Sequence, residues 1–231
     1  MERNVQRVEV LGGGSSYAVD QHRVLRNTYW LLALSMVPTV LGAWVGIQTG
    51  ITRMMGPGLS AIIFMAGAYG LMFAVHAFRT SSKGVFAMLA FTFFMGLMLS
   101  RMLGYVLGLH NGASLIMTAF GGTAGVFFGM ATLATVVKRD LSSLSRFLMV
   151  GILIAIVASL INIFVQSTAA MLAISVAVMA ISSLYILVDV KRVIDGGEDN
   201  YITAALAIYI DLYNVFQSLL ILLTSLSGDR D

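Results

Sequence analysis

The sequence predicts an all-α integral membrane protein, a bundle of seven transmembrane helices, and three observations predict it. Of the 231 residues, 58% are hydrophobic and 11% charged, and the mean hydropathy is +0.90, whereas a soluble domain is roughly 45–50% apolar. Seven apolar windows each reach the ~20 residues that cross a ~30 Å hydrocarbon layer. The Lys and Arg residues gather in alternate connections, as the positive-inside rule requires of a multi-pass chain.

The elements follow in order. Residues 1–27 are polar, contain LGGGSS at 11–16, and read as a flexible cytoplasmic tail. No cleavable leader is expected, because the first apolar run is too long and lacks a small-residue cleavage site. Spans are expected at about 28–50, 57–78, 84–107, 113–136, 147–166, 169–190 and 201–226, with a short tail at 227–231. The last two spans could also pair as a hairpin that does not fully cross. The connections are short, so no soluble domain interrupts the bundle.

Of the 14 Lys and Arg, 11 fall on one side: Arg3, Arg7, Arg23 and Arg26 before the first span, Arg79 and Lys83 between the second and third, Lys138, Arg139 and Arg146 between the fourth and fifth, and Lys191 and Arg192 after the sixth. That side is expected to be cytoplasmic, which places the N-terminus inside and the C-terminus on the periplasmic side. Arg53 and Arg230 fall outside this set. Arg101, inside the third span, lies ~25 Å from its cytoplasmic start and is expected to snorkel to the outer interface.

Several chemistries are excluded or disfavoured. With no cysteine, disulfide, iron–sulfur and thiol chemistry are absent. The net charge of +3 arises from residues placed by topology, so nucleic acid is not an expected partner. His22, His76 and His110 have no metal-site spacing, and neither a GxSxG nor a phosphate-loop pattern occurs. No enzyme activity and no cofactor are expected; the bilayer is the expected partner and a monomer the expected state.

Two acids need explaining. Nine of the 11 lie in tails or loops, leaving Asp189 at the end of the sixth span and Asp211 about ten residues into the seventh. A charge at bilayer depth costs at least ~2.5 kcal/mol, so such a residue faces protein or water and carries a partner or a proton. Ala204, Ala207, Asp211, Asn214 and Ser218 form one helical stripe of small and polar side chains, continued by Ser225. Between the spans lies IDGGEDN, where Gly196 and Gly197 suit a helix end and Asp199 or Asn200 a cap. Pivoting about residue 198 leaves Asp189 and Asp211 about 6 Å apart in depth, within reach of each other.

Spacing leaves two readings open. In one, the two carboxyls share a proton as a latch; ionised, they repel and offer oxygen ligands to a passing hard cation such as Ca²⁺. In the other, Asp189 reaches the cytoplasm beside Lys191 and Arg192, and Asp211 is a neutral hydrogen-bonder to Asn214 or Tyr185. Gly121, Gly125 and Gly129 form a GxxxGxxxG ridge in the fourth span, expected to pack against another helix.

The segments VLRNTYWLLAL, AFGGTAGVFFGMATLATVVKRDLSSL, INIF and SLYILVDVKRVIDGGEDNYITAALAIYIDLYNVF together resemble the transmembrane Bax-inhibitor-motif (Bax inhibitor, or LFG) family over about residues 20–228. VLRNTY and GGEDNYI resemble its proteobacterial YccA-like branch, a member of which is a substrate and modulator of the membrane-anchored AAA protease FtsH. The resemblance implies six helices around a central seventh in a bacterial inner membrane. For the calcium-leak members it implies a pH-sensing aspartate pair, onto which Asp189 in LVDV and Asp211 in YIDLYN map. It also implies an arginine after the second helix that latches onto the pair, and Arg79 in HAFRTSSKG stands nearest to that place. Some relatives in the protease-modulator branch lack one or both aspartates. Two roles are therefore expected: a pH-sensitive calcium or cation leak channel, or a protein-interaction role toward FtsH with the N-terminal tail as handle.

Overall fold

The structure, a computed structural model, describes the backbone of residues 3–228 and the side chains of 21–227 apart from Pro57. Those residues form eight helices: α1 Arg3–Thr49, α2 Ile51–Met54, α3 Pro57–Ala77, α4 Ser82–Val106, α5 Gly112–Val136, α6 Ser142–Val165, α7 Thr168–Ile194 and α8 Tyr201–Gly228. Seven of them, all but the four-residue α2, are long and apolar enough to cross a membrane. α7 and α8 have 27 and 28 residues; at 1.5 Å per residue each is ~40 Å long, enough for a full crossing with tilt.

Helix limits follow capping chemistry more closely than hydropathy. α6 starts at Ser142 rather than 147, and Asp140 accepts from the Ser142 backbone N–H at 3.0 Å. The Asp140 carboxyl lies below its usual range, chiefly because Ser142 hydrogen-bonds to it. α7 runs through the charged VKRV to Ile194 and ends where Gly196 adopts a left-handed φ of 77°. α8 is capped by Asn200, whose Oδ1 accepts from the N–H groups of Ile202 and Thr203 at 2.9 and 3.2 Å. Serine caps open α4 and α7: Ser81 accepts from Lys83 N and Ser167 from Ala170 N.

At the N-terminus the backbone is already helical from Arg3, so the polar segment read as a tail to residue 27 is continuous with the first span. The part of α1 long and apolar enough to cross a membrane lies within Gln21–Thr49; the helix continues into polar sequence because an α-helix needs no apolar residues to extend once it is nucleated. Met1 and Glu2 lie outside the described residues, as do 229–231 of the C-terminal tail. α2 was not expected; it follows Gly50, whose φ of 65° turns the chain after α1.

α8 lies at the centre, packed by α7, α5, α1, α4 and α3, while α6 packs on α7. Ile202, Leu206, Ile208, Tyr209, Val215 and Leu220 of α8 are fully buried. The Tyr209 hydroxyl shares a hydrogen bond with Thr39 Oγ1 of α1 at 2.8 Å, and its ring stands edge-on to Phe91 of α4 at 5.9 Å. A buried phenol with a partner fixes where α8 sits along its neighbours. On the outside, Phe147, Ile154 and Phe164 of α6 are exposed, which suits lipid, a medium as apolar as the core.

α1 and α4 approach by a reciprocal pair of glycines. A Cβ at Gly96 would stand 2.8 Å from the carbonyl carbon of Thr39, and one at Gly42 would stand 3.0 Å from that of Phe93. Both are inside van der Waals contact, so backbone meets backbone here. The Gly121, Gly125 and Gly129 ridge differs from expectation: nothing lies within 4 Å of a Cβ at any of the three. α5 instead turns inward its Leu115 and Ala119, which cluster with Leu220 of α8. Burying those side chains sets the helix rotation and leaves the glycines facing outward.

Candidate functional site

Two polar groups on facing helices dominate the interior. Asp189 of α7 is 9% exposed and Asp211 of α8 is 7% exposed. The antiparallel α7–α8 hairpin brings them together, their carboxyls close enough to interact directly. Two carboxyls this close can bond to each other only when a proton lies between them, because an ionised carboxylate is acceptor-only. Asp189 lies five residues from the end of α7 and Asp211 ten from the start of α8, depths of ~8 and ~15 Å along the helices. The pair therefore sits in the half of the bundle that carries the α7–α8 turn.

The charged groups acting on the pair come from α7 and that turn. Arg192 Nη1 lies 3.6 Å from Asp189 Oδ1, one helical turn on, with its side chain half exposed. Glu198 also acts on Asp189, and the Tyr185 hydroxyl lies within the field of both carboxyls. Glu198 is itself engaged, accepting from the Asn200 N–H and Thr203 Oγ1, both at 3.0 Å. Lys191 pairs instead with Asp195, a residue beyond the end of α7.

The counter-charge expected from Arg79 is supplied by Arg192. Arg79 is exposed in the turn after α3, and its carbonyl accepts from Asn200 Nδ2 at 2.8 Å. That bond ties the α3–α4 turn to the cap of α8, and leaves Arg79 acting through its backbone. The hydrogen bonds proposed for an isolated Asp211 go elsewhere: Asn214 Nδ2 donates to Ser182 Oγ of α7 at 3.3 Å, and the Tyr185 hydroxyl donates to the Ser145 carbonyl at 3.4 Å. Ser182 was missed in the sequence, although its position two turns before Asp189 on the same face of α7 carries the same small-polar signal as the stripe on α8.

On that stripe, Ala204, Asp211 and Ser218 are buried, and Ala207, Asn214 and Ser225 are half buried. Beyond Asp211, Tyr213, Val215 and Leu220 of α8 are buried in the core. Among the described residues, no third His, Cys, Asp or Glu joins the pair to make a metal-binding group. Ca²⁺ takes six to eight oxygens at a resident site; two carboxyls offer a passing cation a contact rather than a cage.

Comparisons with known proteins agree on one family. The family described as "Inhibitor of apoptosis-promoting Bax1" matches residues 21–228. An Escherichia coli K12 protein named "Modulator of FtsH protease YccA" is 39% identical over 211 residues, spanning 91% of this chain and 94% of that protein. An uncharacterized protein of Neisseria meningitidis serogroup A is 38% identical over 218 residues, 93% of this chain and 96% of that one. A Vibrio cholerae membrane protein is 37% identical over 206 residues, covering 89% and 90% of the two chains.

Proposed function

The chain belongs to the Bax-inhibitor family of membrane proteins, and from that premise we propose that Asp189 and Asp211 form a proton-operated latch in a passive leak for cations, Ca²⁺ among them. The observation that carries this reading is two carboxyls buried against each other inside a membrane bundle. While they share a proton, they tie α7 to α8. Loss of that proton puts two negative charges at close range in low dielectric, where their repulsion is several-fold stronger than in water.

The repulsion drives α8 from α7, loosens the plug of Tyr213, Val215 and Leu220, and presents carboxylate oxygens to a hard cation. Arg192 stands where it stabilises the ionised state and Glu198 where it opposes it. With the basic residues setting topology, the N-terminus is cytoplasmic, the C-terminus periplasmic and the membrane the bacterial inner one, so the latch reads cytoplasmic pH. Flux then rises with pH. The test is Ca²⁺ flux into liposomes carrying the purified protein, scanned from about pH 5 to about pH 8, beside Asp211→Asn. An amide cannot ionise, so the variant should lose the pH dependence; unchanged gating would refute the latch.

A second role is supported by the name of the 39% identical relative, "Modulator of FtsH protease YccA". In this reading the bundle resists extraction while the N-terminal segment offers the membrane-anchored protease FtsH its grip. Deleting residues 2–16 should then abolish the effect on FtsH and leave flux intact. Normal turnover and normal protease modulation in the deletion would count against it.

A further inference from the structure

We propose that Arg53 and Arg101 form a phosphate-binding site at the end of the bundle opposite the α7–α8 turn. Of the 14 Lys and Arg, 11 belong to the other end, and a cation away from that side runs against the charge pattern that orients the chain. Two of the three exceptions converge. Arg53 of α2 and Arg101 of α4 line one open cavity of about 530 Å³ with Gly104, Tyr105, Gly108 and Leu109.

The arrangement is built rather than incidental. Thr52 and Ser100, both buried, share a hydrogen bond at 2.9 Å, which pins α2 to α4 at the residues immediately before the two arginines. The left-handed Gly50 turns the chain so that this contact forms. Gly46 makes room for it, since a Cβ there would stand 2.5 Å from Ser100 Cβ. Gly104 does the same for the guanidinium: a Cβ there would stand 3.2 Å from Arg53 Cζ. Both side chains are exposed, and among the described residues the ion pairs are Lys191–Asp195 and Arg192–Asp189, at the other end.

The ligand chemistry follows from the donors and their depth. Two planar guanidinium forks match the oxygens of a phosphate and bind it bidentately. Arg101 stands 19 residues from the start of α4, ~28 Å along a helix, which is the level of the far headgroups in a ~30 Å layer. Exposed Tyr105 on the cavity wall suits the same interface. A phospholipid headgroup and free inorganic phosphate both carry this group.

Native mass spectrometry of the full chain in detergent, titrated separately with phosphatidylglycerol and with inorganic phosphate, tests the site. The wild type should retain one bound phosphatidylglycerol that the Arg53→Gln/Arg101→Gln double variant binds about tenfold more weakly or loses. Gly104→Ala, which crowds Arg53 without removing charge, should weaken retention in part; Lys138→Gln/Arg139→Gln at the other end should not. Arginine-dependent binding of inorganic phosphate that displaces the lipid would assign the site to the free anion, and lipid binding unaffected by phosphate would assign it to the headgroup. Wild-type binding of both probes by the double variant, with its elution profile unchanged, overturns the proposal, as does equal weakening in the Lys138/Arg139 control.

Discussion

Replacing Gly96 by Ala should loosen the whole bundle. A Cβ at Gly96 would stand 2.8 and 2.9 Å from the Thr39 carbonyl carbon and Cα, where ordinary carbon contacts lie at ~3.5–4.0 Å. The obstacle is backbone, so relief requires α1 and α4 to part by about 1 Å. The Thr39–Tyr209 hydrogen bond is 2.8 Å long, and a shift of ~1 Å takes it past hydrogen-bonding distance. Overpacking against backbone costs up to about 3 kcal/mol, and the lost membrane hydrogen bond adds roughly 0.6. The gain in helix propensity from Gly to Ala returns about 1, leaving a net loss of up to about 2.6 kcal/mol. Gly70 of α3 has nothing within 4 Å of its Cβ position and is the matched control. Thermal unfolding in detergent should therefore show Gly96→Ala several degrees below wild type and Gly70→Ala at or slightly above it. Equal shifts in the two variants would refute the close α1–α4 approach.

Two further outcomes follow from the same structure. Gly125→Ala, on the outward ridge of α5 with open space around it, should keep the melting temperature or raise it slightly, by up to about 1 kcal/mol of added stability from propensity; a clear loss would mean that another surface covers the ridge. Arg192→Gln removes the cation 3.6 Å from Asp189 and with it the stabilisation of the ionised pair. The rise of Ca²⁺ flux should then begin at a higher pH than in the wild type, by a modest amount because the guanidinium is half exposed and screened. A shift to lower pH would contradict the charge assignment.

The spans were legible because a bilayer imposes length and polarity on every crossing segment, and those survive in a single sequence. The α7–α8 hairpin was legible for a local reason. Gly196, Gly197 and Asn200 mark a tight turn, and counting outward from it sets Asp189 and Asp211 at similar depth. What could not be read depends on which face meets which neighbour. The Gly121–Gly125–Gly129 ridge has packing spacing, yet Leu115 and Ala119 win the inward position. Thr39 and Tyr209 are 170 residues apart, and neither belongs to a periodic pattern that would pair them. Arg79 and Arg192 both precede or follow an acid-bearing segment, and only the helical phase of α7 places Arg192 one turn from Asp189. The anchoring of Arg53 beside Arg101 rests on a four-residue helix too short to leave a hydropathy signal.

The central claim is that one proton shared by Asp189 and Asp211 decides whether the bundle is closed, and infrared difference spectroscopy of the reconstituted protein tests it most directly. The account predicts a protonated-carboxyl band in the wild type that fades between about pH 5 and about pH 8 in step with rising Ca²⁺ flux, and a pH-independent flux in Asp211→Asn. A band absent throughout that range, or flux that rises while the band stays constant, would contradict it.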